Sequence, residues 1–81
     1  MAFMDMFRSN DRTAVVNKAR KNSYNLLFSL RKFDMPELAN LYMMYEKRNK
    51  TEEAQKVAQL IIARDGLRLS NEGYEFWKSR M

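Results

Sequence analysis

The chain has 81 residues, 46% of them hydrophobic, and a formal net charge of +5 at pH 7, with neither cysteine nor histidine. This length and apolar content predict one domain, residues 1–81, with a small core, and they exclude the composition of a disordered chain. The missing residue types exclude disulfides, thiolate metal sites and histidine general bases. We therefore expect no metal and no cofactor.

The first ten residues are predicted to form an N-terminal segment of their own, residues 1–10. Phe3, Met4 and Phe7 stand at helical spacing there. Two interpretations stay open: the segment packs against the core, or it anchors the chain to a membrane surface or to a partner. Asp5 interrupts the apolar run and no small-residue cleavage site follows, so we expect no signal peptide, no membrane span and a cytoplasmic protein.

A long basic helix is predicted over residues 12–33. The candidate N-cap residues are Ser9, Asn10 and Asp11. The apolar stripe that follows at helical spacing is Val16, Ala19, Leu26, Leu30 and Phe33, with Ser23 as its one polar position.

A second helix is predicted over residues 36–48. Asp34 and Glu37 have the spacing of a capping box, and Pro36 pushes the residue before it out of the helical region, so the first helix must end there. The expected core face consists of Leu38, Leu41, Tyr42 and Tyr45.

A third helix is predicted over residues 51–65 and forms a central antiparallel hairpin with the second. Thr51 is its expected cap and Gly66 its expected C′ residue. The expected core face consists of Ala54, Val57, Ala58 and Ile61. The hairpin resembles a single tetratricopeptide-type unit through Leu38, Leu41, Tyr42, Tyr45, Asn49, Ala54, Ala58 and Ile61. Because an array of such units needs about three copies, the resemblance implies only close antiparallel packing.

A last helix is predicted over residues 70–81, with Ser70 as its cap and Tyr74, Trp77 and Met81 on one side. No run alternates with a period of two for long enough to be a strand. The predicted fold class is therefore all-α, a small bundle of about four helices with a long basic first helix.

The positive charge is concentrated in the first third of the chain. Residues 1–33 carry seven basic and two acidic side chains, whereas residues 34–81 carry eight of each. Opposite the apolar stripe of the first helix lie the candidate nucleic-acid-binding residues Lys18, Arg20, Lys21, Tyr24, Phe28, Arg31 and Lys32. Basic side chains neutralise phosphates and aromatic rings stack on unpaired bases. Three interpretations stay open: a nucleic-acid surface, a surface for an acidic protein, or a solvated face with Tyr24 and Phe28 in the core.

The hairpin and the last helix carry more apolar residues than their core faces require. The candidate protein interface consists of Met43, Met44, Leu60, Ile62 and Trp77. Surplus apolar surface on a small protein indicates a partner, and a symmetric homodimer is the simplest way to bury it. The alternative is a globular body in which Met35, Met43 and Met44 pack beneath the first helix.

An enzyme is not expected. The close carboxylate pairs, Asp34 with Glu37 and Glu52 with Glu53, are explained by helix capping and helix dipoles. No glycine-rich phosphate loop is present in the sequence, and no spacing singles out an activated nucleophile.

The leading hypothesis is a non-catalytic regulator or accessory factor that binds nucleic acid or a nucleoprotein complex through the basic helix. The alternative is a protein-binding adaptor or inhibitor, or a subunit of a larger assembly, that acts through the Met-rich hairpin. A phosphorylated small ligand held between protomers by Lys21, Tyr24 and Arg31 is a further hypothesis.

Overall fold

The computed structural model describes residues 2–81, with side chains described from residue 12 onward. Over this range the chain forms helices and no strand, which confirms the all-α prediction. The helices are α1 (Ala2–Asn22), α2 (Tyr24–Ser29), α3 (Met35–Lys47), α4 (Thr51–Asp65) and α5 (Asn71–Lys78). Within the described residues, none of these helices is long and apolar enough to cross a membrane. The predicted packing of Phe3, Met4 and Phe7 falls on side chains outside this description.

The predicted bounds of the first helix are wrong at both ends, since helical backbone starts before residue 12 and α2 ends at Ser29. The helical backbone begins at Ala2, and the predicted basic helix over residues 12–33 is divided at Ser23, which has φ −111° and ψ 16°. The hydrogen-bond ladder continues through this bend, because the Ser23 N–H donates to the Ala19 carbonyl at 2.9 Å and the Leu27 N–H donates to the Ser23 carbonyl at 2.7 Å. Periodicity predicts the faces of a helix, but the conformation of one residue is set by local and tertiary contacts.

Helix α4 is the centre of the bundle. The backbones of α1, α2, α3 and α5 each lie against it. Elsewhere in the described chain, α1 and α2 are the only other pair of helices with neighbouring backbones. Its buried residues include all four that the sequence predicts and are Ala54, Val57, Ala58, Leu60, Ile61, Ile62 and Ala63. A helix that is apolar on several sides is a buried one. The prediction that Leu60 and Ile62 form a protein interface is therefore wrong, because α4 needs them to contact its neighbours.

The start of α3 confirms the predicted capping box. The Asp34 Oδ1 accepts from the Glu37 N–H at 3.1 Å, and the Asp34 N–H donates to the Glu37 Oε1 at 3.2 Å. The predicted cap of α4 is wrong, since Thr51 is already the first residue of the helix and the preceding Lys50 makes no side-chain cap bond. The turn between α3 and α4 passes through Asn49 at φ 59°, a conformation that asparagine tolerates better than most residues.

Helix α1 approaches the end of α4 closely at Gly66. The sequence predicts Gly66 as a C′ residue, but it is the C-cap residue, with right-handed φ −56° and ψ −32°. A Cβ at this position would lie 2.5 Å from the Val16 Cγ2, so glycine is needed here for the close approach. Arg12 fixes the same region by donating to the Gly66 and Leu69 carbonyls at 3.3 and 2.9 Å, and its guanidinium lies 4.3 Å from the centroid of the Tyr74 ring.

An aromatic contact between α3 and α5 holds α5 in place. Trp77 is only 8% exposed, and its ring lies edge-on to Tyr42 with the centroids 5.2 Å apart. The Tyr42 hydroxyl donates to the Glu46 Oε2 at 2.9 Å, and burial together with this hydrogen bond raises the pKa of Tyr42. Tyr74 and Trp77, which the sequence places on one side of the last helix, are both buried. The prediction that Trp77 belongs to a protein interface is therefore wrong.

Two serines precede helices, Ser23 and Ser70. Their substitution by alanine is expected to change the free energy of unfolding in opposite directions. The Ser70 Oγ accepts from the Gly73 N–H at 3.1 Å, so Ser70→Ala is expected to lower the free energy of unfolding by about 1 kcal/mol. Ser23 makes no cap bond, and its buried Oγ has no hydrogen-bond partner among the described residues. Ser23→Ala removes this unpaired group and is expected to raise the free energy of unfolding by about 1 kcal/mol.

Urea unfolding followed by circular dichroism measures both changes on the same scale. A loss of stability in Ser23→Ala as large as that in Ser70→Ala would contradict the expectation for the bend.

Candidate nucleic-acid interface

Two aromatic side chains stand out from α2 into solvent. Tyr24 is 75% exposed and Phe28 is 67% exposed, and their i, i+4 spacing places them one above the other on one face of the helix. This exposure excludes the alternative in which both rings belong to the core. Helix α2 has no fully buried residue, and its inward side rests on the core through the half-buried Leu26 and Leu27.

Arg31 orders the end of α2 and one of these rings. Its Nη1 donates to the Phe28 carbonyl at 2.9 Å, and its backbone N–H donates to the same carbonyl at 3.4 Å. Its guanidinium lies 4.3 Å from the centroid of the Phe28 ring. The cation and the ring are therefore presented together rather than as two independent flexible side chains.

The lysines on either side of these rings are exposed and have no acidic partner in the described part of the chain. Lys18 and Lys21 lie on α1, and Lys32 lies just beyond α2. Among the described side chains, the only ion pair joins Arg68 to Asp65 at 2.7 Å. We call the following six residues the basic-aromatic surface: Lys18, Lys21, Tyr24, Phe28, Arg31 and Lys32.

Arg20 is the one predicted binding residue with a structural contact to another helix. Its Nε donates to the Ala63 carbonyl at 2.8 Å and thereby joins α1 to α4. The side chain stays exposed beyond this bond. We therefore assign Arg20 to the packing of α1 and leave it out of the basic-aromatic surface.

A depression opens at the bend between α1 and α2. It has a volume of about 290 Å³ and is lined by residues 21–26 together with Lys56 and Gln59 of α4. We call it the bend pocket. Lys56 and Gln59 are not singled out by the sequence, because the pattern of one helix does not say which side chains of another helix come to lie beside it.

The five residues predicted as a protein interface do not form one surface. Met43 and Met44 are 57% and 37% exposed on α3, so neither packs beneath the first helix. Leu60, Ile62 and Trp77 belong to the buried core. What remains of this prediction is a pair of adjacent methionines.

The described residues include no group of three or more histidine, cysteine, aspartate or glutamate side chains that could hold a metal ion. Comparison with protein-family models, with curated proteins and with solved structures finds no match to this chain. The assignment of a function therefore rests on the fold and on the chemistry of its surface.

Proposed function

We propose that the protein is a non-catalytic regulator or accessory factor that binds nucleic acid, free or within a nucleoprotein complex, through the basic-aromatic surface. The observation that carries this proposal is the exposure of Tyr24 and Phe28, at 75% and 67%. These rings lie between basic side chains that pair with no carboxylate among the described residues.

The exposed rings favour this function over a face that serves only solubility. Burying a large apolar side chain stabilises a folded protein by roughly 1.5–3 kcal/mol, and α2 forgoes that gain for both Tyr24 and Phe28. Stacking of a base on an aromatic ring contributes about 1–3 kcal/mol. A bound nucleic acid that stacks its bases on these rings therefore buries the apolar surface that the fold leaves exposed.

The basic side chains supply the second part of the recognition. Lys18 and Lys21 precede the rings, and Arg31 and Lys32 follow them, so positive charge flanks the stacking positions on both sides. Each phosphate contact releases condensed counterions and makes the affinity fall with salt concentration. The combination of phosphate contacts with base stacking is typical of surfaces that bind unpaired strands.

The test is fluorescence anisotropy with labelled single-stranded RNA, single-stranded DNA and duplex DNA at two salt concentrations. The wild type is expected to bind, with an affinity that falls steeply as salt rises. Replacing both rings, Tyr24→Ala with Phe28→Ala, is expected to weaken binding to single strands by at least about tenfold, because each lost stack contributes about 1–3 kcal/mol. The salt dependence should hardly change, since no charge is removed.

Phe76→Ala is the matched control, because Phe76 is a 47% exposed aromatic residue on α5, outside the basic-aromatic surface. It is expected to bind like the wild type. Absence of binding by the wild type at low salt would exclude the proposed function.

A protein-binding adaptor is the second candidate function, and the exposed pair Met43 and Met44 on α3 favours it. Flexible thioether side chains suit interfaces that adapt to a partner. This is the interpretation to adopt if the wild type fails to bind nucleic acid.

A further inference from the structure

We infer that the bend pocket holds one unpaired nucleotide of a bound single strand, with a phosphate between Lys21 and Lys56 and the base against Tyr24. This inference rests on the proposed function and specifies it. It adds α4 to the binding surface and specifies that the bound nucleic acid is single-stranded.

The first argument is the convergence of two lysines from different helices. Lys21 stands in the last turn of α1 and Lys56 lies on α4, yet both line the bend pocket. Neither forms an ion pair within the described chain, and no lining residue of the pocket carries a carboxylate. Two unpaired ammonium groups beside one depression repel each other. An anion bound between them attracts both and offsets this repulsion.

The second argument is the chemistry of the remaining wall. Asn22, Asn25 and Gln59 also line the pocket, and each side-chain amide can both donate and accept hydrogen bonds. Amides of this kind match the edges of an unpaired base and the hydroxyls of a sugar. Tyr24 lines the same pocket, and its exposed ring is a flat apolar surface on which the base can stack. Ser23 also lines the pocket, but its Oγ is closed to solvent, so we assign it no contact with the nucleotide.

The third argument is size and continuity. The volume of about 290 Å³ lies just below the range for small-molecule sites, roughly 300–1,000 Å³, and suits a single small ligand unit. On one side the pocket shares Lys21 and Asn22 with a second depression, which reaches Lys18. On the other side it shares Lys56 with an apolar groove whose lining includes Glu53. The charges therefore direct the phosphate backbone toward Lys18 and away from Glu53.

A duplex cannot use this pocket, because its bases are paired and stacked on both sides.

The critical variant is Lys56→Gln, which removes one charge from an exposed side chain outside the basic-aromatic surface. Its matched control is Lys50→Gln, an exposed lysine at the turn between α3 and α4. Both variants are compared with the wild type by anisotropy, using short labelled single strands of uniform sequence and a duplex of the same length.

Lys56→Gln is expected to weaken single-strand binding about fivefold at about 0.1 M salt, since each phosphate contact contributes a slope of about 0.7 in log affinity against log salt. Duplex binding should change no more than it does in Lys50→Gln. An equal loss in the two lysine variants, or an equal loss for single strand and duplex, would overturn the bend pocket and leave the proposed function standing. Failure of the wild type to bind any strand would overturn both.

Discussion

Trp77→Ala is expected to lower the free energy of unfolding by about 3–5 kcal/mol, the usual cost of emptying a buried aromatic site. A chain of this length has a total stability of roughly 4–12 kcal/mol at typical values per residue, so the loss is a large part of it. Trp77 and Tyr74 are the only buried residues of α5, and the Trp77 ring contacts Tyr42 of α3 edge-on. Without the indole, α5 loses its ring contact with α3 and keeps Tyr74 as its one buried side chain.

Urea unfolding followed by circular dichroism measures this change. Phe76→Ala is the control, because Phe76 is the neighbouring aromatic residue and is 47% exposed. Its ring lies edge-on to Trp77 with the centroids 4.9 Å apart, so Phe76→Ala is expected to cost about 1 kcal/mol, the size of one aromatic pair contact. If both substitutions cost the same, the Trp77 ring does not anchor α5 in the way the geometry indicates.

Charge reversal within the basic-aromatic surface is expected to reduce nucleic-acid affinity at least about 100-fold at about 0.1 M salt, since three contacts worth about fivefold each are lost and repulsion is added. The variant combines Lys21→Glu, Arg31→Glu and Lys32→Glu. The slope of log affinity against log salt should fall by about 2 for single strands. All three side chains are exposed, so the bundle should be retained even though the Arg31 bond to the Phe28 carbonyl is lost.

A second triple variant separates the contribution of the basic-aromatic surface to affinity from the contribution of net charge. Lys47→Glu, Arg48→Glu and Lys50→Glu reverse three exposed charges at the turn between α3 and α4. Both triple variants change the formal charge from +5 to −1, because each reversal subtracts two from the total. Anisotropy titrations should therefore show a much larger loss for the first variant. Equal losses would mean that the protein attracts nucleic acid only through its overall charge.

The features that sequence predicts well are those decided within a few residues. The capping box of Asp34 and Glu37 and the cap at Ser70 are local hydrogen bonds between near neighbours, and both are present. The core face of α4 was also predictable, since Val57 and Ile61 follow the helical period. Such features depend on chain geometry alone.

Most features that sequence misses depend on contacts between distant elements, and the cap expected at Thr51 is a local exception. Leu60 and Ile62 look like surplus apolar residues until α4 is placed between four other helices. The exposure of Tyr24 could not be predicted either, because the residue pattern of one helix does not show how many other helices pack against it. Lys56 lies far from Lys21 in the chain, and only the packing of α1 on α4 places both at one pocket.

The short helix α2, with no fully buried residue, has a consequence for how the protein can change over generations. Substitutions on the outer face of such a helix usually alter stability by no more than about 0.5 kcal/mol. Folding therefore constrains mainly α4 and the residues that touch it, and it constrains the outer face of α2 little. The outer face of α2 can therefore change while the bundle is kept.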